Sequence, residues 1–224
     1  MKKSYALLLL ASVVLIFSAM KLNAPQKIIF FGDSITELGI KPGGYISLLQ
    51  DQLQQKGKPD SFELIGAGIS ANKVYDLYLR LEKDVLSKKP QTVVIWIGVN
   101  DVWHKRTHGT GTDANKFIQF YSAIIEKIQS AGIKVILCTP TAIGEKTDHS
   151  NEQDGDLNQY STIIRSLAAK YNTGLCDLRK LFLQYNVIHN PGNKESGILT
   201  TDRVHLNVAG NKLVADAFSD ILFR

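Results

Sequence analysis

The stretch Lys27-Ile28-Ile29-Phe30-Phe31-Gly32-Asp33-Ser34-Ile35-Thr36 decides the fold. Its apolar run shows no alternation, as expected of a parallel strand covered on both faces, and it stops at a glycine that delivers a serine. Loops at the carboxyl ends of strands line the crevice of open α/β sheets, so Ser34 stands where a nucleophile would be presented. Gly-Asp-Ser is also good turn chemistry, and the small Gly32 would let the chain leave the strand sharply. The remainder of the chain has to decide between turn and nucleophile.

Outward from this strand, apolar runs alternate with helical periodicity. Tyr45, Leu48, Leu49 and Leu53 recur at helical spacing and are closed by Gly57 and Pro59; a strand over 62–65 follows, ending in Gly66-Ala67-Gly68-Ile69-Ser70. Val74, Leu77, Tyr78, Leu81 and Val85 share a helix face, Pro90 stops it, and the unbroken run 92–97 leads into Gly98-Val99-Asn100-Asp101. Further helices are marked by Phe117, Tyr121, Ile124, Ile125 and Ile128, then by Leu157, Tyr160, Ile164, Leu167, Ala168 and Tyr171, with strands at 134–138 and 174–177. A brief helix over 178–184 and a closing helix through Val214, Ala217, Phe218, Ile221 and Leu222 complete the chain, with polar loops at 142–156 and 186–201. Strands alternating with helices imply βαβ units. The expectation is one α/β domain, a three-layer α/β/α sandwich around five parallel strands in the flavodoxin-like order 2-1-3-4-5. That order puts the crevice between strands 1 and 3, where Ser34 and Asn100 sit, with Gly68 on the other neighbour of strand 1.

Composition narrows the classes of function. At 224 residues and 44% hydrophobic content the chain suits a single domain over 25–224. Of the net charge of +5, Lys2, Lys3 and Lys21 supply three within an acid-free start, leaving +2 and no basic stripe of the kind that binds nucleic acid. Residues 1–24, with Lys2-Lys3 before an apolar run from Tyr5 to Met20, read as a signal peptide or N-terminal membrane anchor. Export follows from either, periplasmic or secreted, and the anchor would be the only membrane contact. Cys138 and Cys176 lie in strand-like runs; in an exported protein they could pair, but the favoured reading is buried free thiols.

Four short motifs stand in order: Gly32-Asp33-Ser34, Gly68 in Gly-Ile-Ser, Gly98-Val99-Asn100-Asp101, and Asp202-Arg203-Val204-His205. Each is weak alone; the ordered set resembles the GDSL/SGNH hydrolase family (GDSL-like lipase/acylhydrolase) over essentially the whole chain from about 27 to 224. The resemblance implies a serine esterase with Ser34 as nucleophile, His205 as base and Asp202 as orienting acid. It implies an oxyanion hole from the Ser34 and Gly68 backbone N–H groups and the Asn100 amide, with no cofactor and no metal. The sequence departs from the family pattern at Arg203, where glycine is common, and in the stretch before Gly68, where the family usually has an asparagine two residues before its glycine.

The residue types suit the chemistry. A neutral imidazole can take a serine proton near neutral pH, a carboxylate can orient it, and donors preorganised for the oxyanion are worth about 10² to 10³ in rate each. The expected substrate is a small-molecule, glycan or lipid ester: a carbohydrate O-acetyl group, a lysophospholipid or a short-chain ester. Acyl transfer on the same site is the nearest alternative. A flavodoxin-like binding module is the other, disfavoured because Glu37 stands where a phosphate loop would be and no Gly-x-Gly-x-x-Gly occurs. His104 and His108, in a stretch with Gly109 and Gly111 that reads as a loop, lack a carboxylate pair and are not taken as metal ligands. Trp103 beside them is expected to wall the pocket, and His149 and His189 to be solvated.

Overall fold

The computed structural model describes residues 24–223. The expected targeting segment lies outside them apart from Ala24. Five parallel strands, β1 (Gln26–Gly32), β2 (Phe62–Gly68), β3 (Thr92–Trp96), β4 (Lys134–Cys138) and β5 (Gly174–Cys176), form one sheet in the order β2-β1-β3-β4-β5. The helices are α1 (Ser34–Gly39), α2 (Tyr45–Gln55), α3 (Val74–Asp84), α4 (Val99–Thr107), α5 (Ala114–Ser130), α6 (Asp154–Lys170), α7 (Leu178–His189) and α8 (Val208–Leu222). The architecture is the expected α/β one, with α2 against α8 and α3 against α5.

The neighbours Phe30 and Phe31 show why β1 carries no polar alternation, because successive side chains point to opposite faces and both faces are covered. Phe30 meets Tyr45 of α2 and Phe218 of α8 edge-on, at centroid distances of 5.7 and 5.5 Å. Tyr45 in turn meets Trp96 of β3 at 5.4 Å. Phe31, on the other face, lies under the guanidinium of Arg80 from α3, 4.4 Å from its ring centre. Each such ring contributes roughly 2–3 kcal/mol by burial, so the central strand is fixed in register with Gly32 opposite both Gly68 and Trp96.

Several boundaries differ from expectation, each for a local reason. Helix α1 starts at Ser34, where a turn was expected; its six residues are too few to show a period. Helix α4 replaces the loop expected around His104 and His108, because Val99 and Val102 are buried under it and Gly109 and Gly111 fall after its end. Strand β2 runs on to Gly68, and α6 begins at Asp154, inside the expected polar loop. Helix α7 continues to His189, held by buried Phe182 and Asn186, although Val187 and Ile188 on its outer side are exposed. Cys138 and Cys176 are paired in register on β4 and β5, both buried and both free thiols.

Candidate active site

The site begins at the carboxyl end of β1. Gly32 is required by space: a Cβ there would lie 2.4 Å from the Trp96 carbonyl oxygen and 2.5 Å from Thr36 Oγ1. Close approach of β3 and α1, not a left-handed turn, excludes a side chain. Asp33 caps α1, its Oδ1 accepting the Ile35 N–H at 3.0 Å. Ser34 is the first residue of that helix, so its own N–H has no partner within the helix, and the residue retains 8% exposure.

His205 comes from the loop before α8. Asp202 shapes that loop with one oxygen and holds the imidazole with the other. Its Oδ1 accepts the N–H groups of Val204 (3.1 Å) and His205 (2.8 Å), and Oδ2 accepts from His205 Nδ1 at 2.7 Å. A carboxylate only accepts, so Nδ1 carries the proton and Nε2 is left as acceptor; it stands 2.9 Å from Ser34 Oγ. Burial raises the Asp202 pKa, but the hydrogen bonds from His205 and Val204 outweigh it and hold the carboxyl below its ordinary range. Asn207, not Asp202, caps α8. The structure thus brings Ser34, His205 and Asp202 into one hydrogen-bonded line.

Arg203 adopts φ +83°, the left-handed region in which glycine is at ease, and this explains why glycine is common at that position of the motif. Its guanidinium meets Glu195 at 3.0 Å, and its carbonyl accepts the Gly144 N–H at 2.9 Å. A further support was invisible in the sequence. Glu145, 1% exposed, accepts the N–H groups of Ile198, Leu199 and Thr200 at 2.9, 2.6 and 3.0 Å, immediately upstream of Asp202. It lies in a polar stretch whose composition reads only as loop.

Asn100, 2% exposed, is the second residue of α4, and its Nδ2 donates to the carbonyl of Asn72 at 3.1 Å. One amide hydrogen is used there and one remains. Gly68 ends β2 opposite Gly32, and a Cβ on it would lie 2.1 Å from Glu37 N and 2.6 Å from the Asp33 carbonyl oxygen. It is glycine because α1 crosses directly over it. The next residue, Ile69, gives its N–H to the Gly32 carbonyl at 3.3 Å. Since backbone donors alternate along a strand, the N–H of Gly68 faces away from β1, at the sheet edge. The Gly68 N–H, the expected third oxyanion donor, is thus directed to the outer edge of the sheet. The turn after Gly68 holds Ala71 at φ +64° and carries the Asn72 carbonyl that orients Asn100.

Around these groups, Trp103 stands edge-on to His205 at 6.3 Å, one helical turn beyond Asn100. His104 is buried beside it, and burial together with the charges of Lys73 and His108 lowers its pKa. Burial pushes Asp33 up to about 7 and Asp101 up to about 6. Asp101 accepts the Val74 N–H through both oxygens, at 3.2 and 3.3 Å. Among the described residues no cluster of three or more metal-ligating side chains occurs, and no helix is long and apolar enough to cross a membrane. His149 and His189 are exposed.

The chain resembles known proteins along nearly all of its length. Residues 30–213 match the GDSL-like Lipase/Acylhydrolase family. An acetylxylan esterase of Geobacillus stearothermophilus is 30% identical over 217 residues, spanning 89% of this chain and 94% of that protein. The uncharacterized lipoprotein YqeF of Bacillus subtilis (strain 168) is 25% identical over 183 residues, 71% of this chain and 73% of that one. The crystal structure of the acetyl xylan esterase AlAXEase superposes with a TM-score of 0.87 at 64% identity, covering 88% of this chain and 99% of that one. With the motif order, the fold and the likeness all in agreement, the chain belongs to the GDSL-like lipase/acylhydrolase family and is a carboxylic ester hydrolase.

Proposed function

We propose that the protein is an exported serine esterase that removes acetyl groups from carbohydrate hydroxyls through an acetyl-Ser34 intermediate. The observation that carries the mechanism is the line Ser34 Oγ, His205 Nε2, His205 Nδ1, Asp202 Oδ2, with separations of 2.9 and 2.7 Å. Ser34 Oγ attacks the acetyl carbonyl while Nε2 takes its proton, and Asp202 stabilises the imidazolium. The tetrahedral oxyanion is met by the Ser34 N–H and the free hydrogen of the Asn100 amide. A third donor comes from the turn following Gly68 in place of Gly68 itself. The C–O bond to the sugar breaks as Nε2 returns the proton to the leaving hydroxyl. Water, deprotonated by the same nitrogen, then cleaves acetyl-Ser34 and acetate departs.

Two relatives that are acetylxylan esterases favour the acetyl group and the carbohydrate leaving group over a lipid acyl chain. The basic and apolar start of the chain and the likeness to a lipoprotein favour export. Acetate release from acetylated xylooligosaccharides tests the substrate, and mass spectrometry of the acid-quenched enzyme tests the intermediate. Acetyl on the Ser34 peptide, lost with Ser34→Ala, is expected. Undiminished release by Ser34→Ala, or acetyl on another residue, would overturn the mechanism. Faster turnover of lysophosphatidylcholine than of acetylated sugar would overturn the substrate, and retention of the full chain in the cytosol would overturn export.

A further inference from the structure

We infer that Arg80 is a positioning residue for the oxyanion donors, acting on Asn100 through Asn72; this rests on the reading of Asn100 as an oxyanion donor. Arg80 lies on α3 with its side chain 13% exposed, and it joins three chain segments at the mouth of the crevice. Its Nη2 donates to the Gly32 carbonyl at 2.7 Å, two residues before the nucleophile. Nη1 donates to the Ala67 carbonyl at 3.0 Å, at the end of β2, and Nε to Asn72 Oδ1 at 2.7 Å. Asp84 one turn later accepts from Nη1 at 2.8 Å, and the Phe31 ring supports the guanidinium from beneath.

A carbonyl oxygen has two lone pairs, so the Gly32 carbonyl takes the Arg80 N–H in addition to the Ile69 N–H of the ladder. A planar fork with five N–H groups can serve three segments at once, whereas a lysine ammonium on a flexible stem offers a point charge without that geometry. The consequence for the site runs through Asn72. Its side chain is held by Arg80, and its carbonyl accepts one hydrogen of the Asn100 amide. With that hydrogen fixed, the other has a single direction. Without Arg80 the turn holding Ala71 at φ +64° keeps its Glu37 contact at Ser70 but loses the one at Asn72, so Asn72 is free to turn and the Asn100 amide can rotate away. Arg80 touches neither substrate nor nucleophile, so its effect belongs in kcat and not in KM.

The experiment is a double-mutant cycle between Arg80→Met and Asn100→Ala, read as kcat and KM on p-nitrophenyl acetate, with urea midpoints recorded for each variant. The expected result is a fall in kcat of about 10- to 100-fold for Arg80→Met at unchanged KM, about 10² to 10³-fold for Asn100→Ala, and no further loss when the two are combined. Asn72→Ala, which removes only the Nε acceptor, should give a smaller fall that also vanishes in the Asn100→Ala background, and it keeps the question answerable if Arg80→Met does not fold. Millimolar guanidinium should restore part of the Arg80→Met rate. Losses in the Arg80 and Asn100 variants that multiply, or an Arg80→Met enzyme with unchanged kcat, would overturn the positioning role. Full activity in Asn100→Ala would instead overturn the oxyanion reading on which it rests.

Discussion

Ser34 Oγ and His205 Nε2 stand 2.9 Å apart although 171 residues separate them, and nothing but the fold brings them together. What keeps them there is Asp202, whose two oxygens do different work. One shapes the loop by accepting backbone N–H groups and the other holds the ring. Asp202→Asn can retain an amide oxygen for the loop but presents an NH2 group where the ring donates, which favours the wrong tautomer. The expected outcome is a loss in kcat of about 10³ to 10⁴ with an unchanged urea midpoint. A loss below tenfold would show that the imidazole is oriented by something else.

Arg203 is the one motif position where this chain departs from glycine, and its φ of +83° makes the departure costly. A side chain in this region is disfavoured by roughly 1–2 kcal/mol. The Glu195 partner returns little, because both side chains are nearly half exposed, at 45% and 47%, and exposed ion pairs contribute about 0–1 kcal/mol. Arg203→Gly is therefore expected to raise the unfolding midpoint or leave it unchanged, with activity retained. A drop in kcat beyond tenfold at unchanged stability would mean that the Glu195 pair sets the position of His205.

Glu145 makes the opposite prediction. Its carboxylate is the acceptor for three consecutive N–H groups at 198–200 and is buried, at 1% exposure. Glu145→Ala leaves those donors unpaired and should cost about 3 kcal/mol or more. The strain falls on the segment leading directly into Asp202, so kcat should fall with stability. Glu145→Gln, which keeps one acceptor oxygen, should lie between. Urea unfolding with parallel rate measurements separates the cases; equal stability of the alanine variant and the parent would remove Glu145 from the account.

Strand order, the crevice and the line of Ser34, Asp202 and His205 were legible in the sequence because covalent order carries them: an apolar run, a turn and a short motif recur along the chain. Arg80 was not legible. It sits on the flank of a helix whose periodic residues, Val74, Leu77 and Leu81, mark only the buried face; the Asp84 pair at i,i+4 is all that the sequence records of it, because its contacts to the Gly32 and Ala67 carbonyls follow no side-chain pattern. Gly68 illustrates a different limit. A glycine after a strand reads the same whether its N–H serves a substrate or its missing Cβ makes room for a helix, and only the register with Gly32 separates the two. Likewise, Gly109 and Gly111 signal an end to structure without saying that α4 precedes it.

The buried carboxyl of Asp33, adjacent to Ser34, gives a pH dependence with a definite sign. Burial raises its pKa from an ordinary 3.8 to about 7, so the folded protein holds this proton more tightly than the unfolded chain does. Between those two values unfolding releases a proton, and the contribution of Asp33 to stability falls as pH rises, by up to about 1.4 kcal/mol per pH unit, levelling off above pH 7. Asp101, raised to about 6 by burial, acts in the same direction. Asp33→Asn keeps an oxygen to accept the Ile35 N–H but cannot ionise. Urea unfolding at pH 5 and pH 8 should therefore show a smaller loss of stability between the two for Asp33→Asn than for the parent, with the variant gaining most at pH 8. Parallel profiles for the two proteins would show that Asp33 is ionised in the fold at little cost, against its burial at the foot of α1.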